Sequence, residues 1–595
     1  MKIRVADYII KFLEEKEIEK IFLITGGGAM FLNDAVAKSK QIQGVFNLHE
    51  QASAMSALGY SKLYNEVGVV MPTTGCGGTN TITGLLDAWQ DSNKVLFISG
   101  NVKSKETTHG RELNIRKLGV QEANIIDIVK PITKYSVMVT SPESIKFHLQ
   151  KAFYEMNNNR PGPVWLDIPM DIQSSYVNEA DLFEFEELDL KPTISFEDLN
   201  KLEQLINNSK RPIVVAGYGI HLSNCREDFK SFILKYNLPV VFTYLGIDLL
   251  DFSSNNYIGR LGSKGDRAGN FAIQNSDLVI SLGSSLSVPV IGHQYEYFAR
   301  EAKIVTVDID PNEHKKGLIK VDLEINSDLK SFFNNFNSLK ITNTSINNWR
   351  EKCVGWKKKW PVFDQSYSNT DNGINMYLII EKISQLMSPN SVVVSDAGSA
   401  YYVSSQGTKL NKQQRYITSG AQADMGFTLP CSIGVALRDS SRRVIGITGD
   451  GSVQMNIQEF QTLKNYNLNV KIFVLNNNGY LSIRNTMDKF FDSRYLGTCP
   501  ESGLKLPSLS KIANAYELKY YLLSNLKDID NNLEDILEIE GPVIIEVMNP
   551  IKQDIIPSSA SKENSNGVLE SQPLENMTPF LSEKEYKDEM IIKII

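Results

Sequence analysis

Short apolar runs alternate with amphipathic stretches along most of the chain. Ile213-Val214-Val215-Ala216, Leu278-Val279-Ile280, Ile304-Val305-Thr306-Val307, Val444-Ile445-Gly446-Ile447 and Ile472-Phe473-Val474-Leu475 are examples. Each is too short for a helix and lacks an in–out alternation, so it predicts a strand buried on both faces. The stretches between them predict helices, and the alternation predicts an α/β fold with doubly wound parallel sheets. Three blocks follow, at 1–180, 190–340 and 370–550, each with its own sheet. The first ends in the turn and buried strand Arg160-Pro161-Gly162-Pro163-Val164-Trp165-Leu166-Asp167-Ile168-Pro169. An acidic linker, Asp181 to Asp189, and a polar linker, about Ser338 to Asn372, separate the blocks. The last segment, 551–595, carries few strand signals and much Ser, Asn, Glu and Lys, and predicts an irregular tail.

Composition narrows the class. The chain has 595 residues, enough for three or four domains, and its 42% hydrophobic and 22% charged content is that of a soluble globular protein. A net charge of −7 disfavours nucleic acid and anionic membranes as general partners. No apolar run is long enough to span a membrane, and the N-terminus enters an amphipathic pattern directly, without a signal-peptide core. The five cysteines, Cys76, Cys225, Cys353, Cys431 and Cys499, stand singly, outside any metal or redox spacing. Together these features predict a reducing, cytoplasmic protein.

The chemistry-bearing segment runs from Gly449 to Tyr480. It opens with Gly449-Asp450-Gly451-Ser452 after one apolar run and closes with Asn476-Asn477 after the next. A hard divalent cation takes oxygen ligands. Asp450 and Asn477 supply two, and the following loop offers a backbone carbonyl, most simply at Gly479. Glycines let the backbone approach a phosphate, and N–H groups at a helix start favour an anion. The segment therefore suits a metal-bridged diphosphate. As a chance strand–loop–helix unit it would carry no such set.

These residues resemble the diphosphate-binding signature of thiamine-diphosphate enzymes, and the likeness spans about residues 1–550. It is nearest to acetolactate synthases and their relatives. Thr25-Gly26-Gly27-Gly28 resembles the family's early glycine loop. Thr74-Gly75-Cys76-Gly77-Gly78-Thr79-Asn80 resembles the loop beside the pyrimidine, and Val120-Gln121-Glu122 a segment whose glutamine faces the reacting centre. Asp396-Ala397-Gly398-Ser399 resembles a diphosphate-side loop, although the usual Gln-His is Ser399-Ala400 here. Ser419 to Phe427 resembles the segment whose bulky side chain, here Met425, wedges the cofactor into a bent shape.

On its own, Glu50 at the head of a helix reads as a structural carboxylate. The resemblance makes it the glutamate that hydrogen-bonds the pyrimidine ring nitrogen, a case of acid–base catalysis by positioning. The resemblance implies Glu50 and Gln121 as catalytic residues. It implies Gly26, Gly27, Thr74, Asn80, Gly398, Ser399, Met425, Gly449, Gly451, Ser452, Asn477, Gly479 and Tyr480 as cofactor contacts, with Asp450, Asn477 and Gly479 on Mg2+. It also implies a homodimer or homotetramer with sites shared between chains. FAD in the middle block stays open: Gly217-Tyr218-Gly219, Gly262 to Arg267, Asp308 and Asp310 fit a dinucleotide and fit an empty domain equally.

Departures bear on the reaction. His109 is followed by Gly110 rather than by the second histidine of simple decarboxylases. The segment Gly283 to Gly292 lacks the arginines with which acetolactate synthases hold an acceptor carboxylate, and Thr486 and Met170 replace a tryptophan and a lysine. A buried carboxylate without a cation is poorly compensated. The expectation is a 2-oxoacid donor, pyruvate first, and a two-carbon transfer to an acceptor other than a 2-oxoacid. Leu569 to Met577 with Pro579-Phe580-Leu581 resembles the tail of acetolactate-synthase-like proteins of bacterial surface-polysaccharide pathways, which points to a keto-sugar nucleotide; surface packing alone explains that tail as well. Acetolactate synthesis proper and a non-ligating decarboxylation are the alternatives.

Overall fold

The structure, a computed structural model, describes residues 2–111, 114–188, 191–411, 413–563 and 569–595; Asp189, the end of the expected acidic linker, lies outside them. Three six-stranded, wholly parallel sheets follow one another. The first holds β1 (Lys20–Leu23), β2 (Gln43–Phe46), β3 (Gly68–Met71), β4 (Val95–Asn101), β5 (Tyr135–Met138) and β6 (Val164–Pro169) in the order β2-β1-β3-β4-β6-β5. The second holds β7 (Pro212–Ala216), β8 (Val240–Phe242), β9 (Tyr257–Arg260), β10 (Leu278–Leu282), β11 (Lys303–Asp308) and β12 (Leu323–Asn326) in the order β9-β8-β7-β10-β11-β12. The third holds β13 (Val392–Ser395), β14 (Arg415–Thr418), β15 (Val444–Gly449), β16 (Val470–Asn476), β17 (Lys519–Leu523) and β18 (Val543–Met548) in the order β14-β13-β15-β16-β18-β17. Sheets one and three share one winding pattern.

An open parallel sheet binds ligands beyond the carboxyl ends of its strands, where the winding direction reverses. Those reversals lie between β1 and β3, between β7 and β10, and between β13 and β15. The register aligns the strand ends there: Leu23 pairs with Met71, Ala216 with Leu282, and Ser395 with Ile447. The loops that leave these ends are Gly26–Gly28 with Thr74–Asn80, Gly217–Gly219 with Gly283, and Asp396–Ser399 with Gly449–Ser452. They are the segments singled out in the sequence.

Two helices join the outer sheets. α1 (Glu50–Tyr64) packs across α2 (Thr428–Arg438). The axes approach so closely that a Cβ on Gly434 would fall 1.8 Å from Ser56 O. Apolar side chains of both helices, including Met55, Leu58, Leu429 and Ile433, enter one core. A polar node ties all three sheets. Asp248 accepts from His221 Nε2 at 2.6 Å, from Arg415 Nε at 2.6 Å and from Tyr416 N at 3.1 Å. Arg415 also donates to Leu63 O at the end of α1. Burial holds His221 below its ordinary pKa, whereas the Arg415 charge and the His221 hydrogen bond hold the Asp248 carboxyl far below its own despite burial.

The expected polar linker contains a helix, Ser345–Lys359. Glu351, Lys352, Lys358 and Lys359 face outward, Lys357 turns in to the Phe252 and Tyr257 carbonyls, and Ile346, Trp349, Cys353 and Trp356 are buried against the middle sheet. The tail is irregular apart from two short antiparallel pairs and the helix Glu583–Glu589. It docks on the middle sheet through fully buried Glu575, which accepts from Arg300 at 2.9 Å and Gln274 at 2.6 Å. Trp356 Nε1 donates to Glu589 at 2.7 Å.

Candidate active site

The first sheet assembles one half of the site. Glu50 opens α1, and the His49 imidazole before it accepts the Gln51 N–H at 3.1 Å, fixing the helix start. Asn80 Nδ2 donates to Glu50 Oε2 at 2.9 Å. Gly75 has φ +65°, and a Cβ there would lie 2.1 Å from Gln121 O, so the two loops interlock backbone to backbone. The Gly26–Gly28 turn lies against Thr73 and Thr74. Gly26, Gly27, Glu50, Thr74, Asn80 and Gln121 are thus held around one strand-end crevice. Glu122, beside Gln121, accepts from Thr108, Leu118 and Gly119 N–H groups and so ties Thr108 to the Leu118–Gly119 segment. These bonds keep its pKa low against the opposing effect of burial.

A buried chain orients Thr74. Its hydroxyl donates to Asn101 Oδ1 at 3.2 Å, and Asn101 Nδ2 donates to Asp167 Oδ2 at 2.6 Å. Burial pushes Asp167 up to about 6, opposed by hydrogen bonds from Ser99 and Asn101. The folded-state value lies above the unfolded one. Its contribution to stability is therefore full below about pH 4 and is lost as the pH rises through about 6, by on the order of 3 kcal/mol. Asp167→Asn should gain stability relative to the parent across that window. Denaturant melts at pH 4.5 and 7.5 (about 1.5 units either side of 6) check this; a difference that does not change with pH refutes it.

The third sheet assembles the other half. Asp450 Oδ1 accepts from Gly451 N at 2.8 Å, and Oδ2 from Gly479 N at 2.9 Å. Burial pushes Asp450 up to about 6, and those two N–H groups pull the other way. Tyr480 packs on Gly451 so tightly that a Cβ there would meet its ring at 2.2 Å. Ser452 Oγ accepts from Gly426 N at 2.9 Å, joining the Met425 loop to the loop after Gly449. Gly398, with φ +58°, opens the helix Gly398–Gly407, and Ser399 Oγ is buried without a partner. The loop before Met425 is fixed from the first sheet's side. Asp91 accepts from Gly420 N at 2.8 Å and Ala421 N at 2.9 Å, and Lys62 Nζ reaches Asp91 at 2.6 Å and Thr418 O at 2.8 Å.

Two residues of this half were outside the sequence-based site. Asp396 is buried and accepts from Thr448 and Ser452 hydroxyls, each at 2.7 Å. Arg484 is buried and donates to both Asn477 O and Asn477 Oδ1 at 2.9 Å, and to Thr498 O at 3.0 Å. Asp396 repeats the signal of Asp450, a carboxylate directly after an apolar run. Arg484 gives only a lone cation early in a helix.

Models described as thiamine pyrophosphate enzyme N-terminal TPP-binding, central and C-terminal TPP-binding domains match residues 3–124, 199–336 and 396–547. An acetolactate synthase large subunit of Lactococcus lactis subsp. lactis (strain IL1403) is 31% identical over 569 residues, covering 95% of this chain and 96% of the relative. The chain belongs to the acetolactate-synthase-like family of thiamine-diphosphate enzymes. The isozyme 1 large subunit of Escherichia coli (strain K12) is 28% identical over 552 residues, covering 93% and 95%. Membership implies thiamine diphosphate and Mg2+, and the residues present fit both. Among the described residues no three His, Cys, Asp or Glu side chains cluster as a metal cage. One carboxylate, one amide and backbone carbonyls instead suit a cation that keeps phosphate oxygens as ligands. The buried, unpartnered Ser399 hydroxyl and the Gly398 helix start suit a phosphate. No helix of the described residues is long and apolar enough to cross a membrane.

The middle-sheet crevice is a cavity of about 480 Å³ lined by Tyr218, Gly219, Ser284, Ser285, Asp308 and Arg160 among others. The serines standing where an arginine-bearing segment was sought face this cavity. Asp308, at the end of β11, is pushed up to about 6 by burial.

Proposed function

We propose that this chain decarboxylates a 2-oxoacid, pyruvate first, and joins the two-carbon unit to an acceptor carbonyl. The observation that carries the reading is the pairing of two half-sites in one chain: Glu50 held by Asn80, and Asp450 held by Gly451 and Gly479 beside Asn477. When bound, thiamine diphosphate supplies a carbon nucleophile and an electron sink for decarboxylation. Asp450, Asn477 and the Gly479 backbone hold its metal. Gly398, Ser399, Gly449, Gly451 and Ser452 hold the diphosphate. Met425 and Tyr480 shape the space above it. Glu50 holds a proton between a carboxyl oxygen and the pyrimidine nitrogen. Gly26, Gly27, Thr74 and Asn80 orient that ring, and Gln121 faces the substrate.

A second copy of the chain completes each site in this reading. Val120 beside Gln121 is 76% exposed, and Leu48 and Met455 are about half exposed, which suits a face covered by a partner.

The relatives favour acetolactate synthesis, with a 2-oxoacid as donor and acceptor. A second reading, a keto-sugar nucleotide acceptor, is favoured by Ser284, Ser285 and Thr486 where the cationic and aromatic acceptor contacts would stand. The tail that resembles polysaccharide-pathway proteins also packs Leu574 and Met577 into the core, a structural role sufficient by itself. Product analysis with pyruvate, thiamine diphosphate and Mg2+ separates these readings. Acetolactate at a rate matching CO2 release supports the first. Slow CO2 release that a keto-sugar nucleotide accelerates supports the second. No CO2 release under either condition rejects the proposal.

The middle crevice would take a dinucleotide, FAD by resemblance. A flavin absorbance band in the purified protein supports FAD; a colourless, fully active protein removes it and leaves an empty domain.

A further inference from the structure

The tail, the middle sheet and the helix after Asn477 meet in a pocket lined by Ser559, Gly292 and Lys489 among others, and Ser263 and Lys264 lie next to it in the loop bonded to Ser559. Lys264 lies in the loop after β9, with Nζ 5.4 Å above the Tyr402 ring. Lys489 lies at the end of the helix Leu481–Phe490. Among the described residues neither ammonium has a hydrogen bond or an ion pair, although the Asp554 charge acts on Lys264 through space. Two hydroxyls beside them, Ser263 Oγ and Ser559 Oγ, are buried and unpartnered. The backbone brings these together, because Ser559 N donates to Ser263 O at 2.8 Å. Lys489 and Ser559 line one pocket of about 90 Å³.

A half-buried ammonium beside a second ammonium is costly without a counter-ion, and buried hydroxyls without partners cost more. One bound oxyanion would offset all four. The place is also right for the proposed reaction. Ser482, in the first turn of the Leu481–Phe490 helix, lies against Gly398. Lys489 stands seven residues further on, about 10 Å along the helix axis. Tyr402, beneath Lys264, is one turn into the helix that Gly398 opens. Lys489 therefore shares a helix with a neighbour of Gly398, and Lys264 packs on the helix that Gly398 opens. Lysine is a point charge with rotatable donors, whereas planar carboxylates favour the arginine fork. Two lysines and two hydroxyls suit a tetrahedral phosphate oxyanion.

We propose that Lys264, Lys489 and the hydroxyls of Ser263 and Ser559 bind a phosphate group of the acceptor substrate. This rests on the second reading, a keto-sugar nucleotide acceptor, since a 2-oxoacid carries no phosphate; its test reads no turnover, so the two fail separately. Holoenzyme saturated with thiamine diphosphate and Mg2+ is treated with pyridoxal 5′-phosphate, reduced with borohydride and mapped by peptide mass spectrometry. Burial and Lys489 lower the Lys264 pKa, which favours its reaction. The expected result is labelling of Lys264 that millimolar inorganic phosphate slows at least about threefold, while sodium chloride of equal ionic strength does not. In Lys489→Gln, an exposed position, that protection should disappear while circular dichroism and melting stay as in the parent. Protection by oxamate but not by phosphate overturns the phosphate assignment in favour of a carboxylate site. Equal protection by sodium chloride, unchanged protection in Lys489→Gln, or no labelling of Lys264 overturns the site altogether.

Discussion

Glu50→Gln should leave the fold and cofactor affinity nearly intact and lower kcat by about 10²–10⁴-fold. The amide is isosteric with the carboxyl, and its oxygen can still accept from Asn80 Nδ2, which donates to Glu50 at 2.9 Å. The start of α1 depends on His49, so the helix stays. What disappears is an oxygen that can exchange a proton with the pyrimidine nitrogen. Thiamine diphosphate affinity from tryptophan quenching, read beside kcat from CO2 release, separates the two effects. A variant that turns over normally would remove Glu50 from proton chemistry and return it to the role of a first-turn carboxylate that complements the helix dipole.

Asp450→Ala should abolish metal and diphosphate binding together, weakening each by about 10²-fold or more, since even residues one step removed from a metal cost 10–100-fold. The fold should survive. The carboxyl is buried and pushed up to about 6, so without a cation its charge adds nothing to stability at neutral pH. Asp450→Asn keeps one acceptor for the Gly451 or Gly479 N–H and loses the charge, so its metal affinity should fall nearly as far. The ligand must be ionised to bind, so in the parent the metal affinity should be flat above about pH 6 and fall on acidification below it. Calorimetric titration of Mg2+ with thiamine diphosphate present measures all three. Retained metal affinity in Asp450→Ala would place the cation elsewhere.

The three sheets were legible because parallel strands covered on both faces leave uninterrupted apolar runs: Ile472 to Leu475 reads so and is buried throughout. The helix Ser345–Lys359 was not, because its lysines and asparagines dominate the local composition. Its apolar residues, at 346, 349, 353 and 356, do keep helical spacing. In the site, Asp450 and Asn477 were legible because each stands just beyond the end of an apolar run, in a Gly449-Asp450-Gly451 turn and an Asn476-Asn477 pair. Glu50 was not legible from spacing, since a carboxylate in a first turn is commonplace; the family resemblance supplied it. Arg484 escaped because its work is to satisfy carbonyls at Asn477, Thr498 and Ile551, which only folding brings together. The cluster of Lys264, Lys489, Ser263 and Ser559 escaped for the same reason, its members being almost 300 residues apart in the chain.

The Asp248 node has a consequence for how the molecule comes apart. His221, Arg415 and the end of α1 belong to three different sheets, yet all converge on one carboxylate or its arginine partner. Detaching the middle sheet from the third separates the Asp248 carboxylate from the Arg415 guanidinium, which costs several kcal/mol, and detaching the first removes the Leu63 carbonyl from the same guanidinium. Partial opening at this point is therefore disfavoured, and the three domains should melt as one cooperative unit, despite a length at which separate transitions are the usual behaviour.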